Sequence, residues 1–365
     1  MKTSHVVITL LVAVAFCFST NAVFADPAVN NANSNKKKRL NNYNWRNLQS
    51  DIPGVARHTD SNLVNPWGMA LSSTAGGIWV NDNGTGVSTV YLPDGTNTGK
   101  VVTITTSASN SEGANPTGIV RNDTAGFKIT KNGNTLPSVF LFVSEDGSIS
   151  GWNGTLDPNN AVLAVDNGAA GAIYKGVTIA ATTTQVILYV TNFHSGKVEM
   201  YDPNFNRLDT VSTFVDPNLP AGYAPFGIRN FGNQIFVTYA QQDADAEDDV
   251  AGPGFGFIDV YDANGNLLRR LVSNDRLNAP RGLAIGPSSF GKFSGGLYVG
   301  NFGDGTINIY DPTTGAFVGT LKQEDGSQLQ FDGLWDLLFT NGQLYFTAGI
   351  ADEEHGIFGV IFPTP

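Results

Sequence analysis

The side chains in this sequence that could do chemistry fall at matching places. Asn81-Asp82-Asn83-Gly84, Ser144-Glu145-Asp146-Gly147, Thr191-Asn192-Phe193-His194, Tyr239-Ala240-Gln241-Gln242-Asp243, Gly300-Asn301-Phe302-Gly303-Asp304 and Ala348-Gly349-Ile350-Ala351-Asp352 each follow a short apolar run. Asp82, Glu145, Asn192 and Asn301 offer hard oxygen ligands of the kind that hold Ca²⁺ or Mg²⁺. His194 can move a proton near neutral pH; Glu145 is a carboxylate partner for it and Arg281 a fixed cation, so these three form the candidate catalytic set. Trp67, Phe226, Tyr239 and Trp335 are candidate aromatic walls for a ligand. Each acid and amide also has a structural reading, because Asn-x-Gly and Asp-Gly pairs form tight turns. His355 follows the equivalent run of the sixth unit, opposite His194 in a six-fold ring, but sits in the solvated run Asp352-Glu353-Glu354-His355. His58 reads as a surface residue.

The elements that must position these groups are short strands. Ala279 to Thr320 contains four runs of β-branched and aromatic residues with period-2 alternation, bounded by Gly, Pro, Asn or Asp. That is how an antiparallel meander reads. The rest of the chain repeats it. The first strand opens as Asn65-Pro66-Trp67-Gly68-Met69, Asn115-Pro116-Thr117-Gly118-Ile119, Ala224-Pro225-Phe226-Gly227-Ile228 and Ala279-Pro280-Arg281-Gly282-Leu283. Degenerate versions are Tyr174-Lys175-Gly176-Val177 and Phe331-Asp332-Gly333-Leu334-Trp335. Glycines 68, 118, 176, 227, 282 and 333 recur at a spacing of about 50 residues, the period of a β-propeller blade. Ile78-Trp79-Val80, Ile187-Leu188-Tyr189-Val190 and Leu297-Tyr298-Val299 show the second strand, apolar on both faces as a strand packed between blades must be.

The sixth unit stops after a third strand, Gly356–Ile361, while a fourth-strand pattern stands alone at Trp45–Asp51. Joining the two closes the ring and removes its exposed edges. The prediction is an all-β, six-bladed β-propeller spanning 43–365, closed by an N-terminal strand that completes the last blade. In such a ring the turn before each first strand and the turn after each second strand open on one face, near the central channel.

The Pro-x-Gly first strand and the Leu/Ile-Tyr/Trp-Val second strand resemble those of the NHL-repeat and gluconolactonase-like propellers. From about Tyr43 the chain resembles an uncharacterised family of exported bacterial six-bladed propellers. Gluconolactonase-like enzymes hold a divalent ion in the channel through Glu, Asn and Asp. Their motifs do not match this sequence residue by residue, so the resemblance implies fold and leaves activity open.

Residues 1–25 read as a signal peptide: Lys2, a 13-residue apolar run Val6–Phe18, and Val23-Phe24-Ala25 before the cleavage point. Residues 26–42 read as a disordered basic linker containing Lys36, Lys37, Lys38 and Arg39. The one cysteine, Cys17, lies in the leader, which leaves no thiol for catalysis or metal binding. The net charge of −11 opposes nucleic-acid binding. No later stretch is apolar for long enough to span a membrane. The acidic insertion Asp243–Asp249 reads either as a Ca²⁺-ordered lid or as a solvated loop. There is no P-loop, no Gly-x-Ser-x-Gly and no His-Glu-x-x-His. Asn83-Gly84-Thr85 and Asn153-Gly154-Thr155 match glycosylation sequons but also suit tight turns.

The expected protein is a secreted or periplasmic monomer. It binds an extracellular small molecule, glycan or protein at the channel mouth. The alternative is a divalent-metal-dependent lactonase-type hydrolase or lyase acting at the same place.

Overall fold

The computed structural model describes residues 41–72, 76–111, 113–209 and 212–365. The expected signal peptide and all but the end of the linker fall outside them. Six sheets form the six blades of a propeller, antiparallel throughout except where His58–Thr59 pairs parallel with Gln49 and Ser50 at the edge of the sixth. Blade one runs Pro66–Leu71, Ile78–Asp82, Val87–Tyr91 and Asn97–Thr103. Blade five, the meander of the sequence reading, runs Pro280–Ile285, Leu297–Asn301, Ile307–Tyr310 and Phe317–Thr320.

The ring closes as the phase of the repeat requires. Asn42–Ser50 pairs antiparallel with His355–Thr364, from Asn42 opposite Thr364 to Ser50 opposite Ile357, with a bulge at Asn47/Gln49. Blade six is thus built from both ends of the propeller. Blade three differs from the four-strand expectation. Its sheet holds three strands among the described residues, Tyr174–Ala181, Val186–Asn192 and Lys197–Tyr201. The outer position is taken by irregular chain: Leu208 N donates to Met200 O, and Asp209 Oδ1 accepts from Met200 N. Asp202 Oδ1 captures the Asn204 and Asn206 amides, which turns the chain too sharply for a regular hairpin.

The Pro-x-Gly signature has a steric cause. A Cβ on Gly227 would lie 2.1 Å from Arg281 O, and one on Gly118 2.8 Å from Val177 N. Neighbouring first strands approach the axis so closely that only hydrogen fits. Between blades, second strands bury both faces; every residue of Ile78–Asp82 is buried. Trp79 packs on Phe140 and Trp152 at 4.4 and 4.8 Å between blades one and two. Buried carboxylates recur in these interfaces. Asp60 accepts from Tyr91 at 2.9 Å, Glu199 from Tyr174 at 2.8 Å, and Asp259 from Tyr261 at 3.2 Å.

Candidate functional site

Side chains from the first-strand turns and the turns after second strands gather at the axis. Trp67 and Trp335 stack there at 3.5 Å, and Phe302 lies on Trp335 at 4.1 Å. Phe226 meets the Trp335 edge at 6.1 Å, and Phe193 meets Phe226 at 5.3 Å. Asn65, held at φ 45°, accepts from Trp335 Nε1 at 2.7 Å and fixes the indole. This aromatic stack plugs the axis.

Beneath it lies Arg281, only 5% exposed. Its guanidinium donates to the carbonyls of Trp335 and Lys175 at 3.2 and 3.0 Å and sits 4.8 Å from the Trp67 ring. Burial pulls its pKa down to about 10, and Asp336 opposes that. Asp336 ties the blades: it accepts from Arg229 at 2.7 Å, from Met69 N at 2.9 Å and from Leu337 N at 2.9 Å. The remaining channel space is about 30 Å³, room for one or two waters and no substrate.

Above the plug, Lys175 is 1% exposed. Its Nζ reaches Glu145 Oε1 at 2.5 Å and Asp248 Oδ1 at 3.0 Å, over the rings of Trp67 and Phe193. Burial alone would lower its pKa; Glu145 and Asp248 outweigh burial and raise it, so the ammonium stays charged. Asn83 donates to Glu145 Oε2 at 2.8 Å, and Asn65 to Glu353 Oε2 at 2.7 Å. Burial pushes the Asp249 carboxyl up to about 7 against the pull of Lys175, and its Oδ2 is buried without a partner. Burial also raises Glu353, helped by repulsion from Glu145 and Asp248.

An open cleft of about 650 Å³ lies beside the plug, walled by blades two and three and the acidic insertion. Glu145, His194, Glu247 and Asp248 line it, with the amide side chains of Asn110 and Asn115. The structure therefore brings two of the expected catalytic residues, Glu145 and His194, into one cavity. The insertion is a structured strap: Gln242 bridges Asp249, Glu247 N donates to Asp243 Oδ1, and Lys175 clamps Asp248.

No family model matches the chain. The mimivirus protein R648 of Acanthamoeba polyphaga mimivirus is 32% identical over 324 residues, which are 86% of this chain and 78% of the relative. This chain belongs to the R648 family. A second mimivirus protein, L690, is 31% identical over 315 residues, covering 84% and 82% of the two chains. The expected bacterial provenance finds no support in these relatives. Among solved structures the chain is similar to regucalcin, a calcium-binding protein from Agrobacterium tumefaciens. The TM-score is 0.51 and the identity 11%, over 87% of this chain and 93% of that one. It is equally similar to a soluble aldose sugar dehydrogenase from Escherichia coli, with TM-score 0.51 and 11% identity over 88% and 100%. These likenesses establish the propeller fold.

In this R648-family propeller the expected metal ligands do not converge. Asp82 is buried in blade one and accepts from Thr89 at 2.8 Å; burial raises its pKa well above the usual carboxylate range. Asn192 is held inside blade three by Glu199 at 2.8 Å. Asn301 donates to Arg276 O at 2.7 Å beside blade five. Only Glu145 of the set reaches the mouth, and both its oxygens are taken by Lys175 and Asn83. Among the described residues no group of three or more His, Cys, Asp or Glu side chains is placed to hold a metal ion. The residues present do not fit a Ca²⁺ or Mg²⁺ centre made from the predicted set.

Trp67, Phe226 and Trp335 do come together, as the plug rather than as open walls. Tyr239 lies elsewhere, hydrogen-bonded to Tyr261 at 2.7 Å between blades three and four. His355 pairs with Asp51 at 2.6 Å on the closing strand of blade six. The residue missed by sequence reading is Lys175. Its signal was present: in Tyr174-Lys175-Gly176 it holds the position that Arg281 holds in Pro280-Arg281-Gly282.

Proposed function

We propose that this propeller is a binding module whose ligand occupies the cleft beside the plugged axis. The observation that carries this reading is the cleft itself, about 650 Å³ and walled by carboxylates, amides and one imidazole. Such walls offer many hydrogen-bond acceptors, the complement of a hydroxyl-rich ligand such as a glycan or other cell-surface component. The plugged axis moves the expected site from the channel mouth to its side. The reading takes the chain to be exported, secreted or periplasmic, on the strength of its leader sequence, and to act as a monomer. Its acidity disfavours nucleic acid as a partner. Among the described residues no helix is long and apolar enough to cross a membrane.

The test is a glycan array probed with the intact protein, followed by calorimetry with each glycan that binds. His194→Ala and the paired change Glu247→Gln/Asp248→Asn are expected to weaken binding at least tenfold. Binding that ignores both changes, or an array with no hits, sinks the reading. A second reading, proton-transfer catalysis on a lactone or uronide, draws on the shared presence of His194 and Glu145 in the cleft. Lys175 and Asn83 occupy Glu145, so His194 would be the base. Turnover that survives His194→Ala would remove it.

A further inference from the structure

Asp336 takes the place of the axial glycine in blade six, and its carboxylate shows what the inner edges of the first strands offer. It accepts from the amides of Met69 in blade one and Leu337 in blade six, both at 2.9 Å. Ile119, Val177, Ile228 and Leu283 stand in the matching register of the other four blades and line the same channel. Their amides face inward too. Asn122, Thr182 and Gly286, an odd number of places beyond Ile119, Val177 and Leu283, donate the other way, to the second-strand side at Val139 O, Gln185 O and Gly296 O. The Asn230 amide, an even step beyond Ile228, donates inward to Thr178 of the next blade. The inward carbonyls nearer the plug, those of Thr117, Lys175 and Trp335, are taken by Arg281 at 3.4, 3.0 and 3.2 Å.

Charge decides what such a lining binds. Its ionisable groups are Arg229, Arg281 and Asp336, two cations and one anion. Both Asp336 oxygens are spent on Arg229 and the two amides. Arg281 Nε is buried without a partner, and an unmet donor costs more on a desolvated cation than on a neutral group. Burial lowers the Arg281 pKa, and Arg229 adds to that against the pull of Asp336, so the two guanidiniums repel across the channel. The carboxylates above lie beyond the Trp67–Trp335 stack, where Lys175 holds two of them. Water in the channel would meet the donors and leave the surplus charge. We propose that the channel holds one chloride-sized monovalent anion between Arg281, Arg229 and the inward amides. Inward-facing amides beside a fixed cation are a recurrent anion cradle. The space of about 30 Å³ admits a halide and excludes sulfate and phosphate. The anion enters from the face opposite the plug, where Arg229, Leu283 and Leu337 also wall an apolar groove of about 220 Å³. This site is separate from the cleft, and its readouts need no cleft ligand.

The experiment follows the melting temperature of the intact protein as sodium gluconate is exchanged for chloride or bromide at fixed ionic strength, with sulfate as the size control. Chloride NMR linewidth reports binding in solution, and anomalous scattering from crystals grown in bromide locates the ion. Chloride and bromide are expected to raise the melting temperature saturably, by about 4 °C at a hundredfold excess over Kd, and sulfate to give no saturable rise. The bromide peak is expected on the propeller axis beside Arg281. Arg281→Met and Arg229→Gln should each weaken binding at least tenfold; the second keeps the contacts of Arg281 should the first not fold, and the native linewidth and bromide peak need neither. A native protein with no saturable halide response, a saturable rise with sulfate as well, or a response that a folded variant retains overturns the proposal. So does bromide found at surface arginines alone, which would mark an adventitious ion only.

Discussion

Asp259→Asn should make this protein more stable in mild alkali and leave it little changed in mild acid. Asp259 is fully buried in the interface of blades three and four. Its neighbours are Tyr261, donating at 3.2 Å, Arg270 Nε at 3.5 Å, and Asp216, which Arg270 also pairs. One arginine cannot neutralise two carboxylates, so the cluster is neutral only with one proton aboard. Burial first, then repulsion from Asp216, pushes the Asp259 pKa up to about 7 against the pull of Arg270. The folded state therefore binds a proton that the unfolded state releases above about pH 4. By linkage, stability is full below the unfolded pKa and declines as pH rises from about 4 to about 7. A gap of about three pKa units corresponds to about 4 kcal/mol in total. Urea melts of both proteins at pH 5 and pH 8.5 give the test as a double difference, which cancels the titrating groups that do not touch Asp259. Because pH 5 already lies about one unit into that decline, only the part from pH 5 to about 7 is read, and the Asp259→Asn protein should gain about 2–3 kcal/mol over the native protein at pH 8.5 relative to pH 5. A difference that does not move with pH would mean that Asp259 is ionised throughout and the proton argument is wrong.

Trp335→Ala removes the centre of the plug, stacked on Trp67 and Phe302, and should cost about 3–5 kcal/mol in urea melts with a visible loss of near-UV dichroism. Deleting residues 41–50 strips the partner from the strand His355–Thr364 and leaves an open edge; size-exclusion chromatography should show the deleted protein associating into species larger than those of the native protein. The cleft substitutions complete the set, with outcomes given above.

The architecture was legible because it is written in a repeated physical constraint. Close approach at the axis favours glycine at five blades, with Asp336 taking the equivalent place in the sixth, and a strand orphaned at Trp45 demands a partner near Ile361. The site was less legible because a turn sequence does not say which way its side chain points. Asn192 and Asn301 have the composition of ligands, yet their amides serve Glu199 and Arg276 O within their own surroundings. Tyr239 reads as a mouth aromatic but turns into a blade interface. The acidic strap reads in sequence as either a Ca²⁺-ordered lid or a solvated loop, because the lysine that clamps it lies 73 residues away. Glu145 and His194 were found together because both follow second strands of adjacent blades, where the ring geometry alone fixes their neighbourhood.

The closure of blade six also sets a timetable for synthesis. Asn42–Ser50 leaves the ribosome early, but its partner strand His355–Thr364 is made roughly 300 residues later, about 15–60 s at common elongation rates. Until then blades one to five form an open arc with both rims unsealed. The growing chain thus carries its own adhesive edge through nearly the whole of translation. Charged and amide-rich residues on the waiting strand, Asn42, Asn44, Arg46 and Asn47, are suited to keep that edge from pairing with the wrong partner.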